Sequence, residues 1–249
     1  VNNWILLRGL TRDSRHWGNF PQAFVGEVAD ADVVLLDLPG NGSLNRMKSP
    51  GSIDPMVEFC RGELAARGLA PPYRLLAMSL GAMVAVAWAQ SHPDELAGCV
   101  LINTSLRPFS PFYQRLRPQS YLHLLMLALT GRPEAREAAI LRLTSNGVDN
   151  PAQLVEAWGT WRRERPVSLI NALRQLRAAS TYKAHRQRPR VPMLVLAAAH
   201  DRLVATVCSR RIAQTWQTDF AEHPHAGHDI PLDDGAWVAR QVRDWLRRI

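Results

Sequence analysis

Lysine is nearly missing from this 249-residue chain: only Lys48 and Lys183 stand among its 30 basic residues, and the rest are arginine. Cysteine is scarce too. Cys60, Cys99 and Cys208 are widely spaced, form no CxxC pair and have no evident histidine partner, which argues for reduced thiols rather than a disulfide frame or metal cluster. No apolar run attains the roughly 18–20 residues that cross a bilayer. The longest, Leu75 to Ala89, is interrupted by Ser79 and Gly81, so no membrane span is expected. The opening residues Val1 to Arg8 lack the charged, apolar and small-residue layout of a signal peptide. Taken as a complete mature chain, the sequence is expected to be cytoplasmic. No helix-turn-helix, zinc or RNP pattern accompanies the basic charge, so nucleic acid is not an expected partner.

What is present is the composition of a globular protein, 47% hydrophobic and 21% charged. The net charge of +8 is unevenly placed. Residues 105–190 hold 15 basic against 5 acidic side chains, net +10, while the remainder is net −2. Such a field either solubilises that segment or steers an acidic partner to it.

Short β-branched runs alternate with helical patterns at both ends of the chain. Strands are expected at Trp4–Leu7, Asp32–Asp37, Tyr73–Ala77, Gly98–Asn103, Met193–Ala197 and Phe220–His223. Helices are expected over Ile53–Arg67, Leu80–Gln90 and Trp237–Arg248. Strands of continuous hydrophobicity separated by helices imply a mostly parallel sheet covered on both faces. Residues 105–190 break that rhythm. Proline punctuates four helix-like stretches there, Tyr121–Thr130, Pro133–Thr144, Pro151–Arg163 and Val167–Ser180. They predict a helical cap, residues 105–190, inserted in a core made of 1–104 and 191–249.

The strongest local signal is Ala77-Met78-Ser79-Leu80-Gly81, between an expected strand and an expected helix. A tight turn there projects the Ser79 hydroxyl, and the helix N-terminus offers N–H groups to a developing oxyanion. A serine needs a base, and that base needs an orienting acid. His223, His225 and His228 cluster after the last strand, and Ala226-Gly227 before His228 suits a tight loop. Asp201 directly follows the fifth strand, at the end where ligands gather in open parallel sheets. The fourth strand ends in Asn103-Thr104-Ser105 and supplies no carboxylate. The order Ser79, Asp201, His228 then gives nucleophile, acid and base.

These motifs resemble the capped α/β-hydrolase superfamily over nearly the whole chain, beginning at what would be that fold's third strand. Leu7-Arg8-Gly9-Leu10 is similar to the loop supplying the first oxyanion N–H, which implies Leu10 for that role and Leu80 for the second. His16-Trp17 resembles the helix start packed beneath that loop, and Asp37 to Gly42 the structural turn after the next strand. Two departures stand out. Arg8-Gly9 replaces the usual His-Gly, and Ala77 replaces the usual glycine before the nucleophile pair. Arg8 either reshapes the entrance and oxyanion region or replaces a supporting contact.

The resemblance implies serine hydrolysis of a carboxylic ester or thioester through an acyl-enzyme on Ser79, with no cofactor and no metal. A serine at the turn argues against haloalkane dehalogenation, which needs a carboxylate nucleophile. The expected substrate is a small-molecule acyl ester or thioester, for which an acidic carrier protein docked on the arginine-rich cap is one vehicle. C–C bond hydrolysis or a lyase step on the same fold, and a non-catalytic binding protein, are the alternatives. Phe109, Phe112, Tyr113, Leu125 and Trp158 are candidates to line a pocket under the cap.

Overall fold

In the computed structural model, residues 2–121 and 131–249 are described. Six strands lie where the hydrophobic runs place them: β1 (Asn2–Leu7), β2 (Ala31–Leu36), β3 (Tyr73–Met78), β4 (Leu96–Ile102), β5 (Met193–Ala198) and β6 (Asp219–His223). All pair in parallel, in the order β2-β1-β3-β4-β5-β6. The described helices are α1 (Phe20–Glu27), α2 (Asp54–Ala66), α3 (Leu80–Ser91), α4 (Phe112–Arg115), α5 (Pro133–Thr144), α6 (Pro151–Glu164), α7 (Leu169–Thr181), α8 (Val207–Trp216) and α9 (Ile230–Leu246).

The period of two along each strand splits the core into two halves. Ile5, Leu7, Leu75, Ala77, Cys99, Leu101, Met193 and Val195 face one side, against residues of α2, α3 and α8. Trp4, Leu6, Leu76, Met78, Val100, Ile102, Leu194 and Leu196 face the other, against residues of α1 and α9. Both faces are covered, which explains strands that are apolar throughout rather than alternating. The apolar run from Leu75 to Ala89 is accounted for in the same way. It is β3 followed by α3, whose residues Leu80 to Ala89 are all buried. No helix among the described residues is long and apolar enough to cross a membrane.

Helix α9 begins at Ile230, seven residues before the expected Trp237, and carries non-helical backbone at Asp234. Residues 103–192, between β4 and β5, add no strand to the sheet among the described residues. Their two ends meet at an isolated bridge between Arg107 and Lys183, where the Ala184 N–H donates to the Arg107 carbonyl at 2.8 Å. Helices α5, α6 and α7 occupy this segment. The expected helix at 121–130 lies outside the described residues from position 122 onward.

The chain leaves β1 toward β2 on one side and returns to β3 on the other. The loops after β1 and β3 therefore diverge at the carboxyl ends of neighbouring strands, where an open α/β sheet forms a crevice.

Candidate active site

The turn after β3 is strained. Ser79 has φ 53° and ψ −112°, a left-handed backbone that a non-glycine residue adopts only when its surroundings enforce it. The enforcement is local: the Ser79 N–H donates to the Ile102 carbonyl at 3.0 Å, and the Ser79 carbonyl accepts from Met83 N–H and from the Thr104 hydroxyl, both at 3.2 Å. Gly81 is needed because a Cβ there would stand 2.5 Å from the Leu7 carbonyl oxygen. That close approach packs α3 against the end of β1. Gly9 comes next to the serine, and a Cβ there would lie 3.2 Å from the Ser79 Cβ. Ala77 is fully buried within β3, where its methyl joins the core.

His228 and Asp201 meet across the ends of β5 and β6. The His228 Nδ1 lies 2.6 Å from Asp201 Oδ2, and both side chains are buried. Asp201 Oδ1 accepts from the Leu203 and Val204 N–H groups at 2.7 and 2.9 Å, which fixes the carboxylate in place. Burial alone would push the His228 pKa down. The charge and hydrogen bond of Asp201, with Asp229 behind, outweigh that and hold it above the ordinary histidine value. The other two histidines of the cluster point elsewhere. His223 ends β6, accepts from Ala226 N–H at Nδ1 (2.8 Å) and lies 3.3 Å from Asp234 through Nε2. His225 is placed edge-on to the His223 ring.

Ser79 and His228 line one cavity of about 460 Å³ with Leu10, Leu80, Met83 and Asn103, bordered on the insert side by Phe112, Leu116, Tyr121 and Leu176. The Leu10 and Leu80 N–H groups donate to no acceptor among the described residues. Of the side chains expected to line a pocket, Phe112 is the one among those described that lines the Ser79 cavity. Phe109 packs edge-on against Trp216 in the core, Tyr113 lies on the surface against Phe112, and Trp158 is buried under the Arg12 guanidinium. Leu125 lies outside the described residues.

Arg8 does not reach the cavity. It is buried, with Nη1 and Nη2 donating to the two carboxylate oxygens of Asp229 at 3.1 and 2.5 Å, and its guanidinium lies 4.7 Å from the Trp17 ring centre. The pair braces the residue that follows His228, so of the two expectations for Arg8 the supporting contact is the one that its position fits. Asp229 is held below the usual carboxylate range: burial opposes this, and Arg8 overcomes it.

Asn103 is not an acid, yet it organises the same site. Its Nδ2 donates to the Gly227 and His228 carbonyls at 3.2 and 2.8 Å, and its Oδ1 accepts from Ala198 N–H at 2.8 Å. One amide thus ties the end of β4 to the end of β5 and to the histidine loop. A polar residue closing an apolar strand was the available signal.

A parallel sheet with a strained serine after the third strand, and an acid and histidine after the last two, is now defined. The alpha/beta hydrolase family model matches residues 4–241. The chain belongs to that family. A Variovorax paradoxus protein named as a carbamate hydrolase, RutD, is 26% identical over 98% of this chain and 91% of its own length. An esterase from Thermogutta terrifontis superposes with a TM-score of 0.75 at 22% identity, covering 100% of this chain and 90% of that one. A Mycobacterium tuberculosis protein titled non-heme bromoperoxidase BpoC gives 0.77 at 20% identity, covering 100% and 92%. At such identities the likeness to solved structures is one of fold, and differently named activities share it.

Arginines of the segment expected to dock an acidic carrier are partly engaged within the insert. Arg162 pairs with the buried Glu137 at 2.5 Å and Arg163 pairs with Glu134. Arg12 reaches Glu137 from the loop after β1 at 2.6 Å, stacking 4.3 Å over Trp158. Burial would raise the Glu137 pKa, but the two guanidinium groups hold it down. This buried network fastens α5 and α6 to the sheet domain.

Proposed function

We propose that the chain is a serine hydrolase that cleaves carboxylic ester or thioester bonds through an acyl-enzyme on Ser79. The observation that carries this is the shared cavity of Ser79 and His228, with His228 held at Nδ1 by the buried Asp201. In this reading His228 Nε2 takes the hydroxyl proton as Ser79 Oγ attacks the acyl carbon. The Leu10 and Leu80 N–H groups receive the oxyanion, and His228 returns the proton to the leaving alcohol or thiol. Water, activated by the same histidine, then releases the acid. Asp201 keeps the imidazole in the tautomer with its Nδ1 proton inward and stabilises the imidazolium. The helical insert acts as the cap, and its apolar wall of Phe112, Leu116, Tyr121 and Leu176 favours an acyl chain over a polar substituent.

The test is labelling by a fluorophosphonate probe together with turnover of p-nitrophenyl esters and acyl thioesters of increasing chain length. A carbamate belongs in the same screen, since the curated relative is named for it and its carbonyl is open to the same attack. Labelling of the wild type that Ser79→Ala abolishes is the expected result. An unlabelled wild type would leave a binding protein on this fold.

A further inference from the structure

Helix α7 is turned inside out relative to an ordinary surface helix. Its buried face carries Asn171, Gln175 and Ala178, while Leu169, Ile170, Leu173 and Leu176 stand between 44% and 67% exposed. The usual amphipathic rule would bury that leucine stripe. Its register is held by the polar side: Gln175 accepts from Thr11 N–H at 2.9 Å and donates to Asn41 Oδ1 and Ser49 Oγ at 2.8 and 3.0 Å. Asn171 accepts from Ser49 N–H at 3.0 Å and donates to the Met47 carbonyl at 2.9 Å. Rotating the helix to hide the leucines would strand those buried groups, so the outward stripe is enforced.

At 3.6 residues per turn the stripe has two different flanks. On one side Leu176, Ala179 and Ser180 line the Ser79 cavity, whose far rim holds the exposed Phe112 and Tyr121. On the other side stand Arg174 and the exposed Arg177, within the segment that is net +10. Apolar side chains continuous with the mouth of a cavity, bordered by arginine, match the boundary of an anionic lipid surface: acyl carbon for the leucines, headgroup phosphate for the guanidiniums. A second copy of the chain is a poorer occupant, since two such faces bring like charge together.

We propose that the α7 stripe docks this protein on an anionic lipid surface, with the cavity mouth facing the bilayer so that lipophilic esters reach Ser79 from it. The last clause rests on the serine-hydrolase reading; the docking itself does not.

The test is co-sedimentation with vesicles of phosphatidylcholine alone and of phosphatidylcholine mixed with phosphatidylglycerol. The wild type should pellet with the mixed vesicles and much less with the neutral ones. Leu169→Gln, Ile170→Gln and Leu173→Gln combined change three exposed side chains outside the cavity lining. The triple variant should lose about tenfold or more in binding to mixed vesicles, while turnover of soluble p-nitrophenyl butyrate without vesicles stays unchanged. Failure of the wild type to bind mixed vesicles, or equal binding by the triple variant, overturns the proposal. So does a wild-type dimer, seen by sedimentation velocity, that the triple change dissociates while vesicle binding is absent. Ser79→Ala should bind vesicles as the wild type does. If that variant keeps ester turnover, the acyl-enzyme reading falls and the docking stands; if it is inactive and no vesicle is bound, docking alone falls.

Discussion

The sheet domain and the helical insert border the same cavity but are built on opposite rules. The sheet domain buries its inner strands β1, β3, β4 and β5 in apolar packing and gathers polar site residues where strands end, which is where Ser79, Asn103 and Asp201 stand. The insert buries polar groups against the sheet domain, through Glu137, Asn171 and Gln175, and turns the leucines of α7 outward. Hydrophobic burial is directionless and gives the first region its stability. Hydrogen bonds and ion pairs specify orientation, and they set how the second region sits. Reacting groups should therefore be sensitive to chemistry in the first region, and the shape of the cavity to register in the second.

The sharpest break in that comparison is at Ser79. Ser79→Ala should leave the thermal midpoint nearly unchanged while lowering kcat/KM for p-nitrophenyl butyrate by about 10⁴ or more. Asp201→Asn should lose about 10³–10⁴ through the wrong imidazole tautomer, whereas His225→Ala should retain most activity. Sensitivity at His225 in place of His228 would reassign the base.

In the insert the large effect should be on stability. Glu137→Ala leaves Arg12 buried without its carboxylate and is expected to cost about 3–5 kcal/mol in urea unfolding. Adding Arg12→Met should recover much of that, because the stranded charge is gone. No recovery would mean that the network acts through packing against Trp158 rather than through charge.

A smaller effect comes from pH at the same junction. Desolvation, and then Arg12, push His16 down to about 4. The unfolded histidine titrates near 6.5, so between those values the unfolded chain binds a proton that the folded one excludes. Stability should fall by about 3 kcal/mol as pH drops through that window. His228 has the opposite sign. Its raised pKa gives stability that is complete below about pH 6.5 and lost above it, so it leaves the acidic slope untouched. Urea unfolding of wild type and His16→Asn across the window separates the two, and equal slopes would remove His16 as the cause.

The smallest effect concerns the cavity wall. Leu176→Ala should raise KM for medium-chain esters by about fivefold with little change in kcat. A fall in kcat alone would mean that the α7 side positions the reacting carbon rather than the chain.

Much of the sheet domain is legible in the sequence because burial on both faces makes each inner strand an apolar block, visible without tertiary knowledge. The serine turn was legible for a related reason: a strained strand-to-helix junction accepts few residues, and Gly81 marks the close approach. Helices α1 and α8 leave no such mark in the sequence. Residues 20–27 include Pro21 and Gly26, and α8 intersperses Arg210, Arg211 and Gln214 with its buried Ile212 and Trp216, so neither presents a plain apolar block. The partner of Arg8 was invisible too, being 221 residues away in the chain.

By itself the sequence determined the strands, their parallel class, and the order of serine, acid and histidine along the chain. Local hydrophobicity and turn chemistry act over a few residues, and a few residues are enough to express them. Tertiary structure alone decided that Asn103 holds the histidine loop, that Arg8 supports Asp229 rather than the cavity, and that α7 faces its leucines away from the core. Each of those depends on which buried polar groups find partners across more than a hundred residues. A leucine stripe reads the same whether it points in or out, and Gln175, which finds Asn41 and Ser49, sets its direction.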